Sequence, residues 1–481
     1  MLAAVAARVA AGDADAPLLV ATLAAAPLVA LLLTPAARTR VLEGHGAGDV
    51  AVLLGLALVL AANLAVLGDV GRLLGLARVH GVIAGIVVAL AVVGWYAGDA
   101  WWRLAAPVGV AVVIAPLVLV GLSTGTPWAT WASLASRPAL TFDAHSRWVT
   151  DGRVLGERTT LTFSEPHRVV AAAPATWRVI ERDTPRTAVR EWRLAPGDAL
   201  TLRPGDQLAV DAGARVRFEA GRRVPGGPSS GMTWADGRAR GVRAVVTSAL
   251  GVAVTLVLGG MMLAPASAFP LVGIATVLVP LAMLSFVVGA ALWGLYGMAL
   301  APDLSLAPRA LGAVFEALAR APAPPRRPAL MGIVAVGVLV LLAGVVLAWR
   351  VRIAELITTS AGRMQRPAPS TAALGVAGAA LVLTAAALAL FGIDPWRLFT
   401  WGLALVAAAA AAPRLARAGS RGETTGAIVG ALLVSVAIAA ALVPGLTPWP
   451  IPRPFLDHPA LMAAPAAFLS ARFARTTPSR R

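Results

Sequence analysis

Apolar residues gather into blocks of about 20, the length of helix that spans a bilayer core. They fall at about 17–36, 50–68, 81–98, 104–122, 244–264, 270–299, 329–349, 371–392, 397–412 and 426–444. A shorter block, about 459–471, is below the usual spanning length of about 17–25 residues. It either crosses with extended ends or lies in the interface. The pattern predicts a polytopic α-helical membrane protein with 10–11 transmembrane helices. The 270–299 block reads as one long, tilted helix kinked at Pro280. Residues 1–16 carry Arg8, Asp13 and Asp15 and run into a block long enough to span. That block reads as a retained first helix rather than a cleaved leader.

The pattern changes between the fourth and fifth blocks. Residues 123–243 are polar, and stretches such as RTTLTF, HRVV, WRVIE and VREWRL alternate and are rich in β-branched residues. Both features predict strands. This is an inserted small all-β extramembrane domain, sandwich- or barrel-like, with Trp148, Trp177 and Trp192 as candidate core residues. Inside it, residues 195–226 repeat with period eight: APGDALTL, RPGDQLAV, DAGARVRF, EAGRRVPG. Each unit is a four-residue turn followed by a short strand. Gly197, Gly205, Gly213 and Gly221 fall in step where a tight turn needs positive φ, and Pro196 and Pro204 preset turn entry. Leu200, Leu202, Leu208, Val210, Val216 and Phe218 then share faces, as a β-meander or a sandwich corner. RPGDQLAVDAGARVRFEAG resembles the strand–turn–strand segment of cupin-type β-barrels. Arg215 and Arg217 flank Val216 where that family usually has a metal-binding His, which argues against a cupin metal site.

The chain thus divides into an N-terminal membrane domain (1–122, four spans), a β-rich extracytoplasmic domain (123–243) and a C-terminal membrane domain (244–481, six or seven spans). Residues 301–328 contain RALGAVFEALAR, which reads as an interfacial amphipathic helix or, alternatively, a partner-binding one, followed by the stiff APAPPRRP.

Charge adjusts this picture. Only 14% of the residues are charged and 58% are hydrophobic, against about 25% charged in a soluble domain. A soluble enzyme and a disordered chain are both excluded. All 41 basic residues are Arg, and Asn63 is the lone Asn, as a GC-rich bacterial genome produces. The net charge of +17 sits on arginines that flank spans, so it reads as topology and anionic lipid rather than nucleic acid. Segments 350–370 and 413–425 and the C-terminal tail share one Arg-rich face if the short block 459–471 crosses. The positive-inside rule makes that face cytoplasmic. The β-domain, residues 301–328 and the N-terminus then lie outside, with Trp128 and Trp131 in the outer aromatic belt. The expected location is the bacterial inner membrane.

Candidate chemistry is sparse. Cys is absent, which removes disulfides, thiolate metal sites and Cys nucleophiles. His45, His80, His145, His167 and His458 show no metal-ligand spacing. No nucleotide-binding or hydrolase motif appears, so no cofactor and no metal is expected. The spans are nearly bare of ionisable groups, unlike those of coupled transporters. Asn63 is the strongest polar residue at membrane depth and reads as a helix–helix contact, with Ser285, Thr384 and Ser435 as packing hydroxyls.

The segment PGLTPWPIPRPFLDHPALM (444–462) holds five prolines before Asp457 and His458. It resembles the proline-rich outer loop of the SEDS (FtsW/RodA-type) glycosyltransferases. Ile451, Pro452, Pro454, Phe455 and Leu456 match in register. Asp457, His458, Pro459, Ala460 and Leu461 replace that family's Ser-Tyr-Gly-Gly-Ser, and its Thr is displaced to Thr447. The resemblance implies a lipid-linked glycan polymerase with Asp394 of GIDPWR as the acid/base carboxylate, or Asp457 in its place, and His458 as a further candidate catalytic residue. Read on its own residues, Asp394 before Pro395 is a helix N-cap followed by Pro at N1.

Three functions follow. The first is a non-catalytic scaffold or assembly component of a membrane or envelope complex, its β-domain binding a protein partner. The second is the SEDS-like polymerase, and the third a transporter or flippase. The bare spans and the missing motifs favour the first. Its partners are the anionic bilayer and a protein, not nucleic acid.

Overall fold

The protein is described by a computed structural model covering residues 47–73, 76–94, most of 114–142, 147–149, 159–181, 188–210, 215–225, 250–259, 288–296, 371–391, 393–417, 421–443 and 451–474, with isolated positions between them. Helices occupy the apolar stretches and strands the polar one. The helices are α1 (Ala47–Leu73), α2 (Arg78–Gly94), α3 (Pro127–Ala135), α4 (Thr371–Leu390), α5 (Pro395–Val406), α6 (Ala412–Arg417), α7 (Arg421–Leu442), α8 (Arg453–Asp457) and α9 (Ala460–Phe473). Among the described residues, three helical stretches are long and apolar enough to cross a membrane: Gly48–Gly71, Pro395–Ala416 and Arg421–Leu442. The predicted block 17–36, the segment 301–328 and most of 104–122, 270–299 and 329–349 lie outside the described residues.

The second of these stretches is the hub. α5 and α6 form one rod, joined by a π-helical turn at Ala407–Ala411. The turn runs up to Ala412 and Pro413. Proline has no N–H, and its ring crowds the carbonyl four residues earlier; a wider turn relieves that crowding. All five alanines of the turn are fully buried. Their small side chains let neighbouring backbones touch the rod, and the touching residues are glycines. A Cβ on Gly430 of α7 would lie 2.3 Å from the Ala408 carbonyl oxygen, and one on Gly55 of α1 would lie 2.7 Å from that of Gly402. Packing of small residues is what brings apolar helices together when burial alone does not.

These contacts also fix helix directions. Gly48 meets Ala409 and Ala410 whereas Gly55 meets Gly402, so α1 runs antiparallel to the rod. Gly426 meets Pro413 whereas Gly430 meets Ala408, so α7 is antiparallel too. Ala460 clusters with Ala404 and Ala407, and Ala467 lies against Gly426 near Pro413, so α9 runs parallel to the rod. α9 therefore starts about 13 Å along the rod from Pro395, at 1.5 Å per residue. Residues 451–459, with the short α8, precede that point. The short block 459–471 is a helix, and it packs on the second half of the rod.

The described residues of the polar stretch form eight strands: β1 (Arg147–Val149), β2 (Thr159–Thr162), β3 (His167–Ala171), β4 (Ala175–Glu181), β5 (Ala188–Leu194), β6 (Ala199–Leu202), β7 (Gln207–Val210) and β8 (Arg215–Phe218). They make two four-stranded antiparallel sheets, ordered β1-β8-β3-β6 and β2-β7-β4-β5. The pairs β4–β5, β3–β6, β2–β7 and β1–β8 nest one inside the next. Both sheets contribute to one apolar cluster containing Leu161, Phe163, Val169, Trp177, Leu208, Val216 and Phe218, and Leu134 of α3 joins it. Alternation along each strand supplies these residues, since successive side chains point to opposite faces.

The period-eight units give β6, β7 and β8, but these consecutive strands do not pair with one another as a meander would. They alternate between the two sheets. The turns explain why. Gly197, Gly205 and Gly221 have φ of 98°, 93° and 78°, and Gly213 lies outside the described residues. Each of the three turns docks on a distant strand end and not on its neighbour. The N–H groups of Gly197, Gly205 and Gly221 donate to the carbonyls of Ala171, Phe163 and Phe142, each at 2.8 Å. The N–H groups of Ala171, Phe163 and Phe142 donate back to Asp198, Asp206 and Arg222. Asp198 and Asp206 tighten their own turns by accepting the Ala195 and Arg203 N–H groups at 2.7 Å. The candidate core tryptophans diverge. Trp177 is fully buried. Its cross-strand neighbour Trp192, on edge strand β5, is 41% exposed.

Candidate functional site

The described residues singled out from sequence lie apart in different elements, save the chain neighbours Asp457 and His458. Asp394 is the N-cap of α5: its carboxylate accepts the Trp396 N–H at 3.1 Å, with Pro395 at the next position. Asp457 ends α8 and is exposed. His458 is buried between α8 and α9 and packs on Gly251, where a Cβ would come within 2.5 Å of the His458 Cβ. Asn63 is half-buried in α1, and its Nδ2 donates to the Val59 carbonyl one turn back at 2.8 Å. Thr384 bonds back to Ala380 in the same way, Ser435 is exposed, and Ser285 lies outside the described residues.

The Asp394 geometry predicts a mild variant. Asn accepts a capping hydrogen bond nearly as well as Asp. Asp394→Asn should therefore fold, change stability by about 1 kcal/mol or less and complement a deletion strain.

Sequence reading missed the ionic clusters. Arg414, at the end of the rod, is fully buried. Its Nε donates to Glu423 Oε1 at 3.0 Å, and its Nη2 donates to Asp49 Oδ1. Asp49 lies in the first turn of α1 and Glu423 in the first turn of α7. Both carboxylates thus sit at positive helix ends and the guanidinium at a negative one, the arrangement that helix dipoles favour. A second buried pair, Asp69 and Arg78 with Oδ1 and Nε 3.5 Å apart, joins the other end of α1 to the start of α2. Gly68 leaves room for it, since a Cβ there would lie 2.6 Å from Arg78 Cγ. A signal exists: an acid just before an apolar block and an Arg just after another are complementary charges at helix ends. Read by the positive-inside rule, Arg414 is only a topology marker.

In the β-region two features stand out. Strand β5 closes its sheet, and among the described residues only β4 pairs with it. Its residues Val189 to Arg193 are exposed, Val189 by 62%. Arg190 and Glu191 are held by Glu181 and Arg178 on β4, at 3.4 and 3.5 Å. The second feature is His167, almost fully buried at the start of β3. Its ring lies 5.4–5.7 Å from the rings of Phe163, Phe218 and Phe142, and its Nε2 accepts the Glu219 N–H at 3.2 Å. Burial pushes its pKa below the ordinary value, against the opposing pull of Glu219 and Glu165.

No family model matches the chain, and no curated protein matches it.

Proposed function

We propose that the chain is a multi-pass protein of the bacterial cytoplasmic membrane, a non-catalytic scaffold whose helices hold an extracytoplasmic β-domain that binds a protein partner. In this reading residues 123–243 are a jelly-roll sandwich, the architecture in which nested strand pairs wrap into two sheets. The observation that carries the reading is strand β5. An edge strand with open hydrogen-bonding groups is a template for another strand unless it is blocked. Here it also presents Val189 and Trp192, the kind of apolar anchors that strand addition uses for specificity. The occupant is an extended segment of a partner protein.

A photo-crosslinker placed at Val189 in intact cells should give one discrete adduct with a single protein, reduced when Trp192 is replaced by Ala. The same crosslinker at Arg168, exposed on the interior strand β3, should give none. Equal labelling from both positions, or none from Val189, would remove the partner-binding role. Loss of complementation by a normally abundant Asp394→Asn protein would put the lipid-linked glycan polymerase in its place.

The helix directions support the sidedness. Asp49, Arg414, Glu423 and Ala471 gather at one end of the bundle, with exposed Arg421 and Arg472 beside them. Exposed arginines at helix ends favour the cytoplasmic side. The chain has no Cys, so introduced thiols report without background. Thr201→Cys on β6 should react with a membrane-impermeant maleimide in intact cells, and Thr424→Cys on α7 should react only after permeabilisation. The opposite pattern would invert the orientation.

A further inference from the structure

We infer that His167 is an acid-sensitive latch of the β-region, holding the seam between β3, the turn after β8 and the segment 140–142 closed while it is neutral and releasing that seam when protonated. The geometry is specific. Nε2 accepts the Glu219 N–H, so the neutral ring carries its proton on Nδ1, an assignment drawn from that hydrogen bond. Nδ1 is buried and has no hydrogen-bond partner among the described residues. Protonation would place a second donor against the Glu219 N–H and a cation inside three phenylalanine rings. Burying a charge without a matched partner is costly.

The charged groups around the ring come from each element packed on it. Glu165 lies in the turn between β2 and β3, and its Oε1 already accepts the Arg223 N–H at 2.6 Å. Glu219 follows β8, and its Oε2 lies 3.5 Å from both the Arg168 backbone nitrogen and the Arg222 Nε. Both carboxylates favour the imidazolium, and Arg222 opposes it. On β6 the cross-strand partner is the apolar Leu202. The carboxylates are thus engaged by other donors, and neither takes up the Nδ1 position of the ring.

The seam that depends on this ring is the one holding 140–142. Phe142 stacks on Phe218 with centroids 4.3 Å apart, and Leu140 accepts the Val224 N–H at 3.0 Å. The sign of the pH effect follows. The closed state binds fewer protons than the open state below about pH 6.5, so stability rises with pH through that window. It is complete above about pH 6.5 and falls as the pH drops towards the lowered pKa of the closed form. Each pH unit below about 6.5 raises the opening equilibrium by at most about tenfold, for as long as the closed form stays neutral.

The test is hydrogen exchange by mass spectrometry on the full chain in nanodiscs, corrected for intrinsic exchange. Between about pH 7.5 and 5.5, protection at 140–142 and 219–224 should fall relative to β4, by up to about tenfold. His167→Gln places an amide oxygen where Nε2 accepts but does not titrate. It should match the wild type at the upper pH and lose the acid step. His167→Leu, also non-titrating, should be less protected at the upper pH and equally flat with pH. A wild-type seam whose protection does not change over this range would overturn the inference. So would an acid step of full size in either variant.

Discussion

Arg414→Met should lower the stability of the folded protein by about 3–5 kcal/mol, the cost of leaving buried charges without their partner. Met matches much of the volume, so the loss is electrostatic. Asp49 and Glu423 would face each other across the space the guanidinium filled, at the ends of three helices. The measurement is thermal unfolding in detergent micelles, followed with yield in the membrane fraction. The contrast is the triple variant Arg414→Met, Asp49→Asn, Glu423→Gln, which removes all three charges. Removing all three charges removes the unpaired-charge penalty, so the triple variant should regain most of the loss and keep only the smaller cost of two partly unpaired amides. A single variant as stable as wild type would mean that water reaches the cluster.

The second large effect is steric. Gly430→Ala puts a methyl carbon 2.3 Å from a backbone carbonyl oxygen on the π turn of the rod. Helix propensity alone would favour Ala by about 1 kcal/mol, yet backbone on both sides cannot retreat as a flexible side chain could. Overpacking typically costs about 1–3 kcal/mol, and the larger Gly430→Val should separate α7 from the rod. Gly375→Ala on α4 is the internal control. A Cβ there meets nothing within 4 Å, so only propensity acts and stability should rise by about 0.5–1 kcal/mol. If both alanine variants shifted the melting temperature the same way, the close contact at Gly430 would be refuted.

Much of the fold is legible in the sequence, for reasons that differ by region. Apolar block length marks long helices, and the three described stretches long enough to cross a membrane, Gly48–Gly71, Pro395–Ala416 and Arg421–Leu442, fall on predicted blocks. The eight-residue unit marks β6, β7 and β8 because positive-φ turns need glycine, and Gly197, Gly205 and Gly221 supply it. Pairing was not legible. The same unit serves a meander or a strand that changes sheets, and the difference lies in which carbonyl the turn glycine reaches. Ala171, Phe163 and Phe142 carry no local sign of that role. Trp192 shows the same limit: its alternation equals that of Trp177, but it sits on an edge. At the candidate site, Asp394 was legible as a cap because Asp-Pro at a helix start is a local pattern. The cluster around Arg414 was not, because Asp49 and Arg414 meet only through the antiparallel packing of α1 on the rod. The Arg414 guanidinium is more than balanced by its two carboxylates, so exposed arginines such as Arg421 and Arg472 carry the sidedness signal.

The nested turn contacts bear on how the β-region reaches its fold. Ala171 meets Gly197 across the shortest loop, Phe163 meets Gly205 across a longer one, and Phe142 meets Gly221 across the longest. Closing the outermost contact first would restrict the whole intervening chain at once. If the innermost closes first, each later closure adds only a short free segment on either side, and each doubling of free loop length costs only about 0.6 kcal/mol. The region can then assemble as a zipper from the β4–β5 hairpin outwards, so that contacts distant in sequence become local one step at a time. The 140–142 segment closes last on that route and is the first to open on the way back. A chain emerging during synthesis cannot begin that zipper until β5 has followed β4, and it cannot finish until the turn at Gly221 is available.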